Sequence, residues 1–484
     1  MKDVCFPGAH IRDAILETAG EGTAQYGNDA PEPRYIYPPF SHAPALDPNT
    51  IIVQGIRGSG KSLWWSALLS PSHRLALSKS LPKAGIPRDL IVTNGFGATT
   101  EIEIAPTKDV LHSLAAQFTP REIWKTVLAR QVFKDQTPFD KRDWVERVRW
   151  VKNNVEKYEH NLSLADGQLL QKGQLHLILF DALENASESW AGLRKMIRGL
   201  LELALDLRSR RAIRLKIFVR PDMLEGDVTS FPDASKVLTS RATLNWSRAD
   251  LYGLLWQYLA NAPRRGDTFR SSCRKEFEQR WEVIDGIYRV PDRMRTDEEL
   301  QRDIFHAIAG PWMGGNRKRG FPYTWLANHL ADAHGQASPR SFLTAIRTAA
   351  GCPVPHGWSY ALHFSSIHKG VQEASGLRVA EIQEDYPWLK LVMEPLRSQI
   401  VVPCKFDAIQ SLWETEDIIS GINSWKAQKV GLPPSHLDQG YLGIQKDLEN
   451  LGVFKSMGDD RIQMPDLYRV AFGMGRRGGV RPLR

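Results

Sequence analysis

Gly55-Ile56-Arg57-Gly58-Ser59-Gly60-Lys61-Ser62 has the spacing of a phosphate-binding loop, G-x-x-x-x-G-K-S. The apolar run Ile51-Ile52-Val53 precedes it, and a helical stretch over 63–69 follows. A buried strand would thus deliver the chain to a glycine-rich turn whose backbone N–H groups face inward at a helix N-terminus. Gly55, Arg57, Gly58, Ser59, Gly60 and the following Leu63 would surround the phosphates of a nucleotide. Lys61 would reach the β- and γ-phosphates, and the Ser62 hydroxyl would hold Mg²⁺. The implied cofactors are ATP and Mg²⁺.

Such a loop needs a second, acidic element. Leu175-His176-Leu177-Ile178-Leu179-Phe180-Asp181 supplies it: an apolar strand with a carboxylate at its C-terminal end, where a parallel sheet opens onto a nucleotide. Asp181 would bind the metal directly or through water. Glu184 would polarise the attacking water as general base. The string Asp-Ala-Leu-Glu also has the outline of a capping box, with Asp181 as helix N-cap and Glu184 at its third position. Arg220, ending a strand over 214–219, would stabilise charge at the terminal phosphate. Arg340, in Ser338-Pro339-Arg340-Ser341-Phe342, would couple the position of a helical domain to nucleotide state. Ser338 as N-cap and Pro339 at the first helical position account for that helix start by themselves. For either arginine the plain alternative is a surface ion pair.

The elements that must position these groups alternate between strand and helix. Strands are expected at 51–53, 90–94, 174–180, 214–219 and 242–246. Helices are expected at 109–133, 142–158, 188–207 and 248–259. The alternation implies an α/β fold, a parallel sheet covered by helices on both faces. Four regions follow: an irregular lead-in, 1–47; a P-loop nucleotide core, 48–261, with a helical insertion near 95–165; a helical lid domain, 262–351; and a C-terminal region, 352–484. In the lid, two helices over 324–350 break at 335–338. Near the C-terminus a helix at 441–451 precedes short strands at 453–455 and 461–464, the ending of a winged-helix module. The glycine-rich 473–479 lacks both the strand and the Gly-Lys-Ser of a phosphate loop and reads as a flexible basic tail.

The chain has 484 residues, 42% hydrophobic and 24% charged, an ordinary globular balance that allows sizeable cores. The length corresponds to roughly two to four domains. No apolar run approaches the roughly 18 residues of a membrane span, and the N-terminus carries no apolar signal segment, so the expected location is cytoplasmic. Cys5, Cys273, Cys352 and Cys404 are too scattered for a disulfide framework or a four-cysteine zinc site. Cys352, His356, His363 and His368 match no common zinc spacing and read as loop residues. A net charge of +8 permits contact with a polyanion, with basic density at 208–214, 316–319 and 476–484.

The order of phosphate loop, Asp181 strand, Arg220 strand, helical domain with Pro339-Arg340 and winged helix resembles the AAA+ and STAND/KAP group of P-loop ATPases. The segments Phe180-Asp181-Ala182-Leu183-Glu184 and Val219-Arg220-Pro221-Asp222 are most similar to its bacterial STAND/KAP side. The resemblance implies a lid whose Pro-Arg pair is a second nucleotide sensor. It also implies a trans-acting arginine finger, for which Arg241 stands in the expected place. The long stretch between Lys61 and the Asp181 strand implies an insertion.

From these features the expected function is an ATP-driven switch acting through homo-oligomers or a separate effector protein. The resemblance places it in bacterial signalling or defence against phage and plasmids. A second class is a DNA-handling ATPase, an initiator, loader or transposition helper. In that case Lys446, Lys455, Arg461 and Arg469 of the winged helix would contact phosphates, with affinity falling steeply as salt rises. A small-molecule kinase would be more compact. A scaffold that holds nucleotide without hydrolysis would not need Lys61, Ser62, Asp181 and Glu184 together.

Overall fold

Five parallel strands form the sheet that positions the candidate site: β1 (Ile52–Gln54), β2 (Ile91–Phe96), β3 (His176–Phe180), β4 (Ile213–Val219) and β5 (Arg241–Thr243). Their order across the sheet is β2-β3-β4-β1-β5, and every pairing is parallel. All residues of β3, and all of β4 except Arg214, are buried. Neighbouring residues of a strand point to opposite faces, so both faces are covered, as an α/β sheet requires. The structure, a computed structural model, describes residues 4–18, 30–98, 101–133, 139, 143–427, 432–476, 480 and 482.

The order has a consequence for the chemistry. β4 lies between β1 and β3, with Val219 opposite Gln54 and Ile217 opposite Phe180. The chain leaves all three strands at the same end of the sheet, as the loop from Gly55, as Asp181 and as Arg220. From the middle of β4, buried Lys216 donates to the carbonyl oxygens of Ala45, Asp47 and Thr50 at 2.8, 2.8 and 2.9 Å. This ties down the segment that leads into β1.

Among the described residues, four helices lie between β2 and β3: Lys108–Ala115, Pro120–Val132, Trp144–Asn153 and Val155–Gln171. The two longer stretches expected there each divide. Thr119 caps the second helix through a complete capping box with Glu122, and Pro120 stands at its first position, so the sequence restarts the helix instead of continuing it. This insertion is packed on the core. Trp124 Nε1 donates to Met196 O at 2.8 Å, and its ring meets Phe96 and Phe180 edge-on. Gly199 of the helix Trp190–Asp206 permits the approach, since a Cβ there would stand 2.7 Å from Pro120 Cβ.

Among the described residues, 30 and 38–245 form one compact unit, and 4–18, 31–37 and 246 onward form another. Within the second, the lead-in contains a helix, Gly8–Thr18, that buries Ile11, Ala14 and Ile15. The region read as helical contains an antiparallel hairpin, β6 (Glu282–Ile284) with β7 (Ile287–Arg289). Its turn, Asp285-Gly286, has φ of 51° and 77°, the left-handed pair that Asp-Gly favours between hairpin strands. The helices Pro322–His329 and Pro339–Gly351 flank the expected break.

Further on come β8 (Val401–Val402) and β9 (Cys404–Lys405), the helices Phe406–Thr415, Ile418–Ala427 and Gly440–Asn450, then β10 (Lys455–Ser456) and β11 (Arg461–Gln463). β11 pairs with both β10 and β9. Three helices with a three-stranded sheet of order β10-β11-β9 make the winged-helix arrangement. The tail is corrected at its start: Gly475 and Arg476 form β12, parallel to β8. Residues 477–479 lie outside the described residues.

Candidate phosphate-binding site

The loop is fixed at its root and left-handed at its crest. Gly55 N donates to Val219 O at 3.1 Å, and Leu244 N donates to Gln54 O at 2.8 Å, so β4 and the chain beyond β5 grip the end of β1. A Cβ on Gly55 would fall 2.3 Å from Ser59 Oγ, which closes this position to larger residues. Gly58 and Gly60 adopt φ of 77° and 100°, conformations costly to residues bearing a Cβ. Gly60 O then accepts from Trp64 N at 3.0 Å and starts the helix Lys61–Leu69.

That helix is pinned from beneath by a residue the sequence did not single out. Fully buried Trp64 donates its indole N–H to His42 Nδ1 at 3.2 Å, and His42 Nε2 lies 3.0 Å from Asn245 O. An acceptor role at Nδ1 and a donor role at Nε2 define the neutral ring, and burial pushes its pKa down to about 4. His42 stands well before Trp64 in the chain, so no local pattern signals the pair.

The charged groups gather where β1, β3 and β4 end. Lys61 Nζ donates to Gly55 O and Ile56 O at 2.8 and 3.0 Å. Burial pushes its pKa down to about 8, against the pull of Asp181 and Glu184, while Arg220 adds to the lowering. Asp181 is buried, and burial, then the charge of Glu184, raises its carboxyl to about 6. The neighbouring Ser62 hydroxyl works in the other direction, with Lys61 and the Ala182 backbone. The loop serine and the strand carboxylate therefore meet.

The capping-box alternative does not form. The short 3-10 turn Leu183–Ala186 begins after Ala182, whose φ of 53° is left-handed, and no side chain caps it. Such a conformation in a residue with a Cβ is a local strain of the kind that clusters at functional sites. It leaves Asp181 facing Ser62 and puts half-buried Glu184 on the next turn. Arg220 is buried, and its Nε and Nη2 face the Asp222 carboxylate at 3.3 and 3.4 Å. Asp222 also acts electrostatically on Lys61 and belongs to the cluster. The sequence reading quoted Asp222 within Arg-Pro-Asp without giving it a role. Arg57 and Leu63 are both half-buried, on the loop and on the first helical turn.

No protein-family model matches the chain, and no curated protein matches it. Among solved structures it is similar to the Aeropyrum pernix ORC2 protein in its ADPNP-ADP complexes, at 12% identity over 86% of this chain and 84% of that one, with a TM-score of 0.38. The ADP form of the same protein matches at 12% identity over 86% and 83%, with a TM-score of 0.32. The loop, the sheet order and the convergent charges are features of this chain's own geometry.

Arg241 is exposed and opens β5, its Cα opposite Ile52 at the start of β1, at the end of the strands away from its own phosphate loop. In the second unit Arg340 is paired with buried Glu381. Among the described residues no group of three or more His, Cys, Asp or Glu is placed to hold a metal ion. His363 caps the helix Phe364–Asp385 through Ser365 N, and His368 packs against Trp325. On the winged helix, Lys446 and Lys455 are exposed, and Arg461 pairs with Asp459 at 2.6 Å. Arg469 corrects the expectation of a phosphate contact. It is 1% exposed, bound to Asp466 at 2.7 Å and to the carbonyls of Met474 and Val480, because the turn after the wing folds over it.

Proposed function

We propose that this chain is an ATP-binding, ATP-hydrolysing switch of the AAA+ type. The observation that carries the reading is the meeting of Ser62 with Asp181. A hydroxyl from the loop helix and a carboxylate from β3 converge as a Mg²⁺ site beside a phosphate loop requires. The left-handed Gly58 and Gly60 supply the matching cradle. Mg²⁺ bound there would neutralise phosphate charge. Lys61, protonated at neutral pH, would exchange the carbonyls of Gly55 and Ile56 for phosphate oxygens. Half-buried Glu184 would take the proton of the attacking water, and Arg220, oriented by Asp222, would meet the terminal phosphate.

Exposed Arg241 would serve a neighbouring copy, and Arg340 would report nucleotide state by leaving Glu381. The output would pass through a homo-oligomer or a separate effector, in a signalling or defence setting. The test is ATP hydrolysis by the full chain beside Lys61→Ala and Glu184→Gln. Turnover that both substitutions abolish supports the reading; bound ATP without turnover in the wild type overturns it.

A DNA-handling ATPase is the second reading, favoured by one surface feature besides the winged helix. Arg317, Lys318 and Arg319 form an exposed turn next to the Trp312–Phe321 ring pair, at 5.1 Å, and have no carboxylate partner among the described residues. Stimulation of turnover by duplex DNA that fades with salt, and is lost when these cations are replaced by alanine, would select this reading over the first.

A further inference from the structure

The amino-terminal ends of the core strands enclose a cavity of about 360 Å³. It lies at the opposite end of the sheet from the phosphate loop, because Ile51, just before β1, and Ile213 and Leu215, early on β4, help to line it. Ile51, Ala204, Leu207, Ile213 and Leu215 supply its apolar lining, and Arg208, Arg214 and Lys236 its positive charge. No acidic residue is among the lining residues.

The two guanidiniums rest on neutral oxygens. Arg214 donates to the carbonyls of Arg210, Ile213 and Arg211 at 2.8, 2.9 and 3.1 Å and to Asn49 Oδ1 at 3.3 Å. Arg208 donates to the carbonyl of Lys236. Among the described residues neither has a carboxylate partner. Lys236 pairs with Asp233 at 2.9 Å, but both side chains are more than half exposed, so the pair is weak and exchangeable. A concave, half-apolar site with uncompensated positive charge is what an anion with an apolar body fits. Two guanidiniums match a dianion, and their planar forks match tetrahedral phosphate oxygens. The volume is on the order of a dozen waters, enough for a small organic molecule.

We propose that this cavity is a second ligand site, which takes an organic phosphate monoester with its apolar body on the Ile51–Leu215 floor and its phosphate between Arg208 and Arg214. The proposal does not depend on the nucleotide reading of the other end. β1 and β4 run from this cavity to the phosphate loop and to Arg220, which gives occupancy a direct mechanical route to that end.

Isothermal titration with phenyl phosphate, inorganic phosphate and benzoate tests it. The wild-type full chain and its Lys61→Ala variant should bind phenyl phosphate alike, at least tenfold tighter than either of the other two probes. Arg208→Glu and Lys236→Glu, both at exposed positions, should each weaken that binding at least tenfold. Arg214→Gln also removes carbonyl contacts, and these two variants keep the test valid should it fail to fold. Binding lost in Lys61→Ala would assign the probe to the phosphate loop and overturn the proposal. Absent binding, binding indifferent to Arg208→Glu, or equal affinity for benzoate or inorganic phosphate would overturn it as well.

Discussion

The two ends of the parallel sheet hold positive charge in different ways. At the carboxyl ends, Lys61 and Arg220 face three carboxylates, Asp181, Glu184 and Asp222, so their positive charge is offset before any ligand arrives. At the amino ends, Arg208 and Arg214 lean on carbonyl oxygens and keep their charge uncompensated. The first arrangement suits a site that must hold a metal and a polyphosphate and release products. The second suits an anion that supplies the missing charge. Burial sharpens the difference: it moves Lys61 and Asp181 towards neutrality, whereas Arg208 is exposed.

The sharpest break of this comparison is Lys61→Ala. It should lower ATP turnover by about 10³-fold, the scale of losing one preorganised charge at the reacting phosphate, and leave phenyl phosphate titration at the other end unchanged. Glu184→Gln comes next, with turnover reduced about 10²-fold while ATP is still retained on filters, as loss of a base without loss of the cradle demands. His42→Ala asks whether the loop end is held by its buried support. Trp64 would lose its acceptor and Asn245 O its donor, and urea unfolding should show a loss of about 2 kcal/mol.

The smallest effect is read against pH, at Lys216 between the two ends. Burial pushes its pKa down to about 7, below the value in the unfolded chain. Above pH 7 the unfolded chain binds the proton that the native chain has released, so wild-type stability should rise with pH relative to Lys216→Met. The expected slope is about 1 kcal/mol per pH unit between pH 7 and 9, measured by denaturant midpoints across that range. A flat difference would mean that the Ala45, Asp47 and Thr50 carbonyls keep the ammonium charged.

Much of the loop end was legible because its signals are local. The glycines of 55–60, the lysine-serine pair and the apolar strand ending in Asp181 each declare themselves within a few residues. The break at Thr119-Pro120 and the Asp285-Gly286 hairpin were legible in the same way, from a capping box and a turn dipeptide, although the reading by periodicity passed over both. Asp181 against a helix cap was not decidable from letters, since Asp-Ala-Leu-Glu serves either role. The left-handed Ala182 removes the cap, because the turn starts after it and no side chain caps it. Arg469 failed as a surface cation because exposure depends on what folds over a residue, here the turn that ends at β12.

By itself the sequence determined the parallel α/β core, the phosphate loop and its acidic partner strand, because glycine spacing and apolar strand runs are carried by neighbours along the chain. Only the tertiary structure decided that β4 lies between β1 and β3, which brings Arg220 and Asp222 to Lys61. Only it decided that His42 supports the loop helix and that Arg208, Arg214 and Lys236 share one cavity. The physical reason is common to all of these. Charge and hydrogen-bond partners act over a few ångströms of space, and the groups concerned are separated by tens of residues of chain, so their meeting is fixed by strand order and packing.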